Sequence, residues 1–318
     1  MREKISLLRI SSKSLPTKKL AEVQKEKPKN MPSSVNYQKV VEEYRKNGCC
    51  KIENFLDQSE LDDMQKGLSD ALKHMTDDLH VYSSYNNPKS KEDLEYYINS
   101  GDKVAYFFEN DAFDEDGNLT VKDKQKALNK IAYALHWWNP NFKRISFNQK
   151  IKDLLRALEY KDPAICQSML IFKHPEIGEI FRPHQDSTFL YTEPESCIGI
   201  WLPMEDATLE NGCLWYLPGS HKSGIHVRYV RKPGNDPFLV MEGKIPDDLY
   251  NEGYVPIPAK KGDCVLIHGQ VLHKSGRNKT DKPRVVYTFH AIENGAEWSE
   301  KNWVQPTTKL PFPSIYAN

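Results

Sequence analysis

The spacing of apolar residues changes near the middle of the chain. In the first half they recur every three or four positions, which is the period of a helix that buries one face. Asp57 and Glu60 precede one such stretch at the spacing of a capping box, and Gly48 ends another. The pattern predicts four helices, around Val40–Tyr44, Leu61–Met75, Ala127–Leu135 and Ile151–Leu158.

The second half contains short apolar runs bounded by Gly, Pro, Asn or Asp, which indicate β-strands. Residues 1–160 hold four Gly and five Pro, whereas residues 161–318 hold twelve and fifteen, so turns are concentrated in the second half. Successive strands without helices between them favour an antiparallel barrel or jelly roll. The predicted strands are Ile165–Lys173, Cys197–Leu202, Cys213–Leu217, Cys264–His268 and Val285–Ala291.

Together these patterns predict a mainly β protein with α-helices. We expect one domain over residues 34–318, in which a helical layer at 34–162 buttresses a double-stranded β-helix, or jelly roll, at 163–318. The stretch Arg228–Gly253 is rich in Gly, Pro and acidic residues and predicts a long loop over the mouth of the barrel. No apolar run approaches the eighteen or so residues of a membrane span.

Charge divides the chain into two unlike parts. The 318 residues carry 44 Lys and Arg against 44 Asp and Glu, and this neutral sum excludes nucleic acid as a dominant partner. Residues 1–33 alone hold nine basic and three acidic residues. We interpret this basic head as a disordered tail, with a mitochondrial presequence as the alternative. The last residues, Tyr316-Ala317-Asn318, do not form a peroxisomal address.

The six cysteines are scattered and form no C-x-x-C pair. The sequence also shows no secretory signal, so we expect reduced, mostly buried thiols. These observations predict a cytoplasmic protein. They leave the oligomeric state open.

The first candidate for chemistry is the triplet His184-Gln185-Asp186. Residues i and i+2 of a strand project to the same face, so the imidazole and the carboxylate could meet one metal ion. A single H-x-D triplet is weak evidence, and a polar turn is the alternative. His273 would complete a set of two His and one carboxylate, which binds Fe(II) and leaves positions for a co-substrate and dioxygen. Alone, His273 is more typical of a barrel-rim histidine, and His268 competes for the role.

A third candidate, Arg284, opens the last predicted strand. Its planar guanidinium suits a carboxylate, and Ser275, two residues after His273, could add a hydroxyl bond to the same carboxylate. An ordinary ion pair is the alternative for Arg284. The joint pattern, from the H-x-D triplet through His273 to Arg284, favours a jelly roll that chelates Fe(II) and holds 2-oxoglutarate by its far carboxylate.

Other polar residues carry less weight. His221 is interpreted as a loop residue near the site, and His290 as a core histidine on the last predicted strand. A basic group could attract a phosphate-bearing substrate such as a CoA thioester, although a solvated face is the favoured interpretation. The group comprises Lys222, Arg228, Arg231 and Lys232.

Longer segments agree with one family in order and spacing. They are Gln167-Ser168-Met169, Pro183-His184-Gln185-Asp186, Phe189–Pro194, Glu205–Trp215, Pro218-Gly219-Ser220-His221, His273-Lys274-Ser275 with Arg284, and Trp303–Pro313. With these segments the chain resembles the phytanoyl-CoA dioxygenase family of Fe(II)/2-oxoglutarate oxygenases. The resemblance covers about residues 34–316. The sequence differs from the family pattern at Ile177–Phe181 and in the basic head. These differences leave the substrate and the localisation open.

The resemblance implies a role for each matching position. His184, Asp186 and His273 would bind Fe(II), and Arg284 with Ser275 would bind the far carboxylate of 2-oxoglutarate. Trp201, Met169 and Lys130 would line the co-substrate pocket. Core packing is the alternative for Trp201 and Met169, and a solvated charge on the third predicted helix is the alternative for Lys130.

The implied activity is 2-oxoglutarate decarboxylation to succinate, coupled to hydroxylation of a small molecule. Fe(II), 2-oxoglutarate and O₂ would be required, with ascorbate as a stimulant, and an acyl-CoA or another lipid-like acid is the expected substrate class. A catalytically silent jelly roll that binds metal or ligand is the first alternative. A cupin-type metal enzyme without 2-oxoglutarate is the second, although it would usually present more metal-binding histidines and no pocket arginine.

Overall fold

The computed structural model describes residues 35–76, 91–232 and 238–318, so the predicted basic head lies outside the described residues. The helices within these ranges are α1 (Tyr37–Asn47), α2 (Gln58–Lys73), α3 (Lys91–Ile98), α4 (Leu135–Trp138), α5 (Pro140–Ser146), α6 (Gln149–Ala157) and α7 (Asp247–Asn251). The strands are β1 (Cys49–Ile52), β2 (Val104–Phe108), β3 (Leu128–Tyr133), β4 (Pro163–Lys173), β5 (Phe181–His184), β6 (Thr192–Glu193), β7 (Ile198–Pro203), β8 (Leu214–Tyr216), β9 (Val227–Lys232), β10 (Phe238–Gly243), β11 (Val255–Ile257), β12 (Cys264–His268), β13 (His273–Ser275), β14 (Arg284–Glu293) and β15 (Glu297–Trp298).

Three of the four predicted helices are confirmed, as α1, α2 and α6. Asp57 and Glu60 form the expected capping box, in which each side chain accepts the backbone N–H of the other residue. Gly48 ends α1 with a φ of 77°, a left-handed conformation that glycine adopts at no steric cost.

Two predictions of secondary structure are wrong. Leu128–Tyr133 is the strand β3 rather than a helix, and its side chains are mostly buried on both faces of the sheet. The stretch Arg228–Gly253 is not a structureless loop, because β9 and β10 pair as antiparallel strands and α7 follows them. The five strands predicted in the second half are all present: Cys264–His268 has the predicted ends, and the ends of the others shift by at most two residues.

Two antiparallel sheets form the centre of the fold. The larger has seven strands in the order β1-β12-β7-β14-β4-β3-β2. The smaller has four, in the order β11-β8-β13-β5. Every pairing within the two sheets is antiparallel.

The larger sheet separates the apolar core from a cavity. On one face, residues of β14 pack against the helices: Phe142 of α5 stacks on Tyr287 with 4.3 Å between ring centroids, and Ser146 bonds the Tyr287 hydroxyl at 2.6 Å. Side chains alternate along β4, so that Leu170 belongs to this core while its neighbour Met169 lines the cavity. The helical side therefore supports the strands that carry the site.

All six cysteines are free and buried, which confirms that expectation. They lie at Cys49, Cys50, Cys166, Cys197, Cys213 and Cys264. Within the described ranges, no helix combines the length and the apolar character that crossing a membrane requires.

Candidate metal centre and co-substrate pocket

A cavity of about 590 Å³ lies between the larger and the smaller sheet. Strands β3, β4, β7 and β14 line one side of it, and β5, β8 and β13 line the other. All eight residues singled out in the sequence line this cavity: Lys130, Met169, His184, Asp186, Trp201, His273, Ser275 and Arg284.

Three of these residues bring metal-binding atoms together. His184 ends β5 and His273 opens β13, and the two are opposite each other in the antiparallel register. The carboxylate Oδ1 of Asp186 lies 3.8 Å from Nε2 of His184 and 3.6 Å from Nε2 of His273. One ligand atom from each residue lies within 4.8 Å of the others, and this is the only such His, Cys, Asp and Glu cluster among the described residues.

Backbone contacts orient both imidazoles. Nδ1 of His184 lies 2.8 Å from the carbonyl oxygen of Arg182, and Nδ1 of His273 lies 3.1 Å from that of Val271. A carbonyl can only accept, so each Nδ1 carries the proton and each Nε2 presents a lone pair towards Asp186. This donor set fits a divalent transition-metal ion with two imidazoles and one carboxylate.

The local structure that places Asp186 in the site differs from the predicted one. Strand β5 ends at His184, and Asp186 begins a short 3₁₀ turn, so the two residues do not share a strand face. The polar turn offered as the alternative is therefore present, and Asp186 lies in it beside the two histidines. Burial alone would raise the pKa of Asp186, but the nearby His290, His273 and His184 outweigh it and lower the pKa.

His184 is held in its neutral form. Burial, aided by the neighbouring His273, lowers the pKa of His184 to about 4. A neutral imidazole is the form that coordinates a metal, so the ring requires no deprotonation near neutral pH.

His290 contacts the metal-binding carboxylate, a contact that the sequence did not reveal. It is buried on β14 as expected, yet its Nε2 lies 3.1 Å from Oδ2 of Asp186. Its Nδ1 faces Nε2 of Gln167 at 3.2 Å, which leaves Nε2 of His290 as the donor to Asp186. Gly199 makes room for this contact, because a Cβ there would lie 3.2 Å from Asp186 Oδ2.

Arg284 is a buried cation that forms no ion pair with a described residue, although the Glu205 carboxylate interacts with it electrostatically. It is 2% exposed, and its Nη2 donates to the carbonyl oxygen of Gly212 at 2.6 Å. Its Nε has no hydrogen-bond partner, and its guanidinium carbon lies 5.6 Å from the centre of the Trp201 ring. Burial lowers the pKa of Arg284 to about 10. An anion of the co-substrate would supply the missing partner, and the buried Ser275 lines the same cavity.

Lys130 lies on β3 rather than on a helix, so the solvated helix charge considered for it is wrong. Its ammonium lies 5.2 Å from the ring centre of Phe107 and 5.4 Å from that of Tyr133. Burial lowers the pKa of Lys130 to about 8. Met169, opposite Ala132 in the β3–β4 register, lines the same part of the cavity.

The remaining polar candidates lie outside the cluster. His268 is not part of the His184, Asp186 and His273 cluster; its ring centre lies 4.9 Å from that of His221, whose Nε2 lies 3.1 Å from the Arg45 carbonyl oxygen. Arg228 lies over the Tyr191 ring at 3.8 Å and donates to Asn302.

Comparison with curated proteins identifies relatives over most of the chain. Phytanoyl-CoA dioxygenase domain-containing protein 1 of Danio rerio is 42% identical over 285 residues, which cover 87% of this chain and 97% of that protein. Its homolog in Caenorhabditis elegans is 39% identical and covers 87% and 98%. The phytanoyl-CoA dioxygenase of Arabidopsis thaliana is 37% identical and covers 85% and 93%.

Solved structures share the fold at low sequence identity. A complex of the epimerase SnoN with Fe³⁺, alpha ketoglutarate and nogalamycin RO has a TM-score of 0.58 at 15% identity and covers 88% of this chain and 98% of that one. EctD from S. alaskensis, solved with 2-oxoglutarate and 5-hydroxyectoine, has a TM-score of 0.56 at 19% identity and covers 89% and 84%. The family model for phytanoyl-CoA dioxygenase (PhyH) matches residues 44–286. By this match and the relatives above, the chain belongs to the phytanoyl-CoA dioxygenase family.

Proposed function

We propose that the protein is an Fe(II)- and 2-oxoglutarate-dependent dioxygenase that hydroxylates a small molecule. One observation carries the proposal: the convergence of two imidazole Nε2 atoms and one carboxylate in a cavity that also holds Arg284, a buried cation without an ion pair to any described residue. We assign the two facing sheets to a double-stranded β-helix, and we place the whole catalytic domain in residues 34–318.

Each residue of the site has a role in this proposal. His184, Asp186 and His273 would hold Fe(II) from one side. Once bound, Fe(II) together with 2-oxoglutarate and O₂ supplies the oxidising chemistry, in which 2-oxoglutarate is converted to succinate and CO₂. Arg284 and Ser275 would hold the far carboxylate of 2-oxoglutarate and orient it towards the metal ligands.

The cavity walls would also enclose the co-substrate and keep water away from it. Trp201, Met169 and Lys130 would enclose the co-substrate, and the buried strands around them exclude water. His290 would hold Asp186 by donating to the oxygen that faces away from the two metal-binding histidines. Ascorbate would act as a stimulant, as it is proposed to keep the iron reduced.

The mouth of the cavity supports an apolar substrate. Phe189, Tyr229 and Trp303 line the cavity, and Met241 and Ile180, which also line it, are 58% and 46% exposed. Large apolar side chains exposed beside a cavity are typical of a surface that binds an apolar ligand. We propose an acyl-CoA or another lipid-like acid as the substrate class.

The reaction can be tested without knowledge of the substrate. Protein purified anaerobically and loaded with Fe(II) should convert 2-oxoglutarate to succinate when O₂ is admitted, which mass spectrometry detects. His184→Ala and Asp186→Ala each remove a ligand and should reduce this turnover by about 100-fold or more.

His74→Ala is a matched control, because His74 is exposed at the end of α2. It should leave turnover unchanged. Full turnover in both ligand variants would refute the assignment of the metal site. Binding of metal and 2-oxoglutarate to the wild type without succinate would instead favour the silent binding module.

A further inference from the structure

The segment that leads into the metal site borders the mouth of the cavity. We call Ile177–Arg182 the entrance segment; most of it has no regular secondary structure, and β5 begins at Phe181. Ile180, Phe181 and Arg182 line the cavity, and His184 follows two residues later. The position of this segment therefore affects both access to the cavity and the approach to the first metal ligand.

Two acidic groups, the buried Glu109 and the more exposed Asp111, hold the first half of the entrance segment. The backbone N–H of Gly178 donates to the Asp111 carboxylate, 3.1 Å from Oδ1. Glu109 lies against the same residue, since a Cβ at Gly178 would be 3.1 Å from its Oε1. Asn129 donates to that same oxygen at 2.9 Å. These contacts attach Gly178 to the ends of β2 and β3.

A single lysine holds the second half. Lys173 is the last residue of β4 and is 3% exposed. Its ammonium donates to the carbonyl oxygen of Glu179 at 3.2 Å and lies 4.8 Å from the ring centre of Phe181. Both contacts favour the charged form of the lysine, because an ammonium donates more strongly and is attracted to an aromatic face.

The same lysine faces the proposed carboxylate site. The β4–β14 register places Lys173 directly opposite Arg284, and both line the cavity. Gly212 contacts both of them, because its carbonyl accepts from Arg284 and a Cβ there would lie 2.8 Å from Cδ of Lys173. Phe181, under the Lys173 ammonium, is the strand partner of Ser275. Lys173 thus lies between the carboxylate site and the entrance segment.

The charge of Lys173 depends on its neighbours. Burial and the Arg284 guanidinium, with a smaller effect of Arg277, lower the pKa of Lys173 to about 7, and Glu109 opposes them. Near neutral pH the ammonium is therefore only partly populated. A carboxylate bound to Arg284 would add a negative charge on the same side of the cavity and favour the ammonium.

We propose that Lys173 is a positioning residue that couples occupancy of the Arg284 carboxylate site to fixation of the entrance segment. The coupling rests on the proposed function, because 2-oxoglutarate is the anion that would occupy Arg284. Binding of the co-substrate first would then order the mouth of the cavity before the substrate arrives. Nothing in the roles proposed for the eight site residues requires Lys173.

Hydrogen exchange of the backbone amides 178–182 tests the coupling. In anaerobic, Fe(II)-loaded wild-type protein, saturating 2-oxoglutarate should slow exchange of these amides by about tenfold or more. Lys173→Met keeps the length of the side chain and removes the charge, so 2-oxoglutarate should still bind, as shown by equilibrium dialysis, without this protection. Lys173→Arg should restore part of it. Lys161→Met, at an exposed position just before β4, should behave like the wild type.

Protection of equal size in Lys173→Met and in the wild type would overturn the coupling. If Lys173→Met does not fold, a second measurement on the wild type replaces it: saturating 2-oxobutyrate, which lacks the far carboxylate, should give no protection. Equal protection by both acids would overturn the coupling as well. If the wild type fails to bind 2-oxoglutarate, the proposed function falls and the coupling with it, whereas binding without protection refutes the coupling alone.

Discussion

At the scale of single residues, Gly199 shows how closely the proposed metal ligand Asp186 is packed. It lies on β7, and a Cβ there would be 3.2 Å from Asp186 Oδ2 and 3.4 Å from His290 Nε2. Gly199→Ala should therefore push the carboxylate away from its histidine partners. Because the ligand atoms themselves remain, we expect Fe(II) affinity to fall by about 10- to 100-fold while the protein still folds.

Anaerobic metal titration, followed by the release of Fe(II) to a chelator, measures this affinity. Gly295→Ala is the matched control, since nothing lies within 4 Å of a Cβ at that position. Unchanged affinity in Gly199→Ala would show that the Asp186 carboxylate tolerates displacement.

The residues of the candidate site could be predicted because their types and order are specific. An H-x-D triplet, a later histidine and an arginine at the head of a strand point to the same chemistry, and the structure places all of them in one cavity. His290 could not be recognised in this way. Its neighbours along the chain are those of a core residue, and only the β7–β14 register, which pairs it with Gly199, brings it to Asp186. Contacts of this kind depend on strand pairing that no local pattern encodes.

At the scale of secondary structure elements, β3 shows where the hydrophobic pattern fails. Ala127, Leu128, Ile131 and Ala132 have the spacing of a helix, yet β3 is a strand with both faces covered. A strand buried on both sides needs no alternation of apolar and polar residues, so its sequence is not distinguishable from a buried helix by period alone. The amphipathic helices α1, α2 and α6 have one polar face, and this is why they were predicted correctly.

The short helix α4 gives the fold a predictable response to acid. His136 is buried on it, and both its backbone N–H and its Nδ1 lie 2.9 Å from Oγ of Ser168 on β4. Burial, aided by Lys143, lowers the pKa of His136 to about 3. Between pH 6.5 and 3, His136 is protonated in the unfolded chain but remains neutral in the folded chain. Protonation therefore favours the unfolded chain, so the folded protein loses stability as the pH falls below about 6.5.

We therefore expect the free energy of unfolding to decrease by about 1.4 kcal/mol per pH unit through this group as the pH falls from about 6.5 towards 3. His136→Gln should reduce the slope, and urea unfolding at several pH values measures it. His74→Gln, at an exposed position, is the control. Identical slopes in His136→Gln and in the wild type would mean that the ring takes up its proton without unfolding.

At the scale of the whole molecule, the family model matches the later part of the chain and not the basic head. The family model begins at residue 44, and the relatives cover 87% of this chain while almost all of their own length is matched. We expect a chain that starts at residue 34 to keep the thermal midpoint and the succinate production of the 318-residue chain, because the core and cavity residues that the structure describes all come later in the sequence. Side-by-side calorimetry and turnover assays check this. A loss of either would show that the head supports the domain.

The fold class was predictable at the same scale because turn residues are concentrated in the second half of the chain. The order of strands in the two sheets was not, since it depends on pairings between distant segments, such as β1 with β12. The β9–β10 hairpin was missed for a different reason. Its Gly, Pro and acidic residues are typical of loops, and the strand pattern between them is short.

The buried position of the cysteines should protect the protein against oxidative inactivation. An enzyme that activates dioxygen can oxidise its own nearby side chains, and cysteine thiols are among the side chains most easily oxidised. Every one of the six cysteines is buried, and burial raises the pKa of each thiol, which keeps it in the less reactive protonated form. Among the described residues that line the cavity, none is a cysteine. Damage from stray oxidant should therefore fall first on the aromatic and thioether groups that line the cavity, and the thiols should remain reduced for longer.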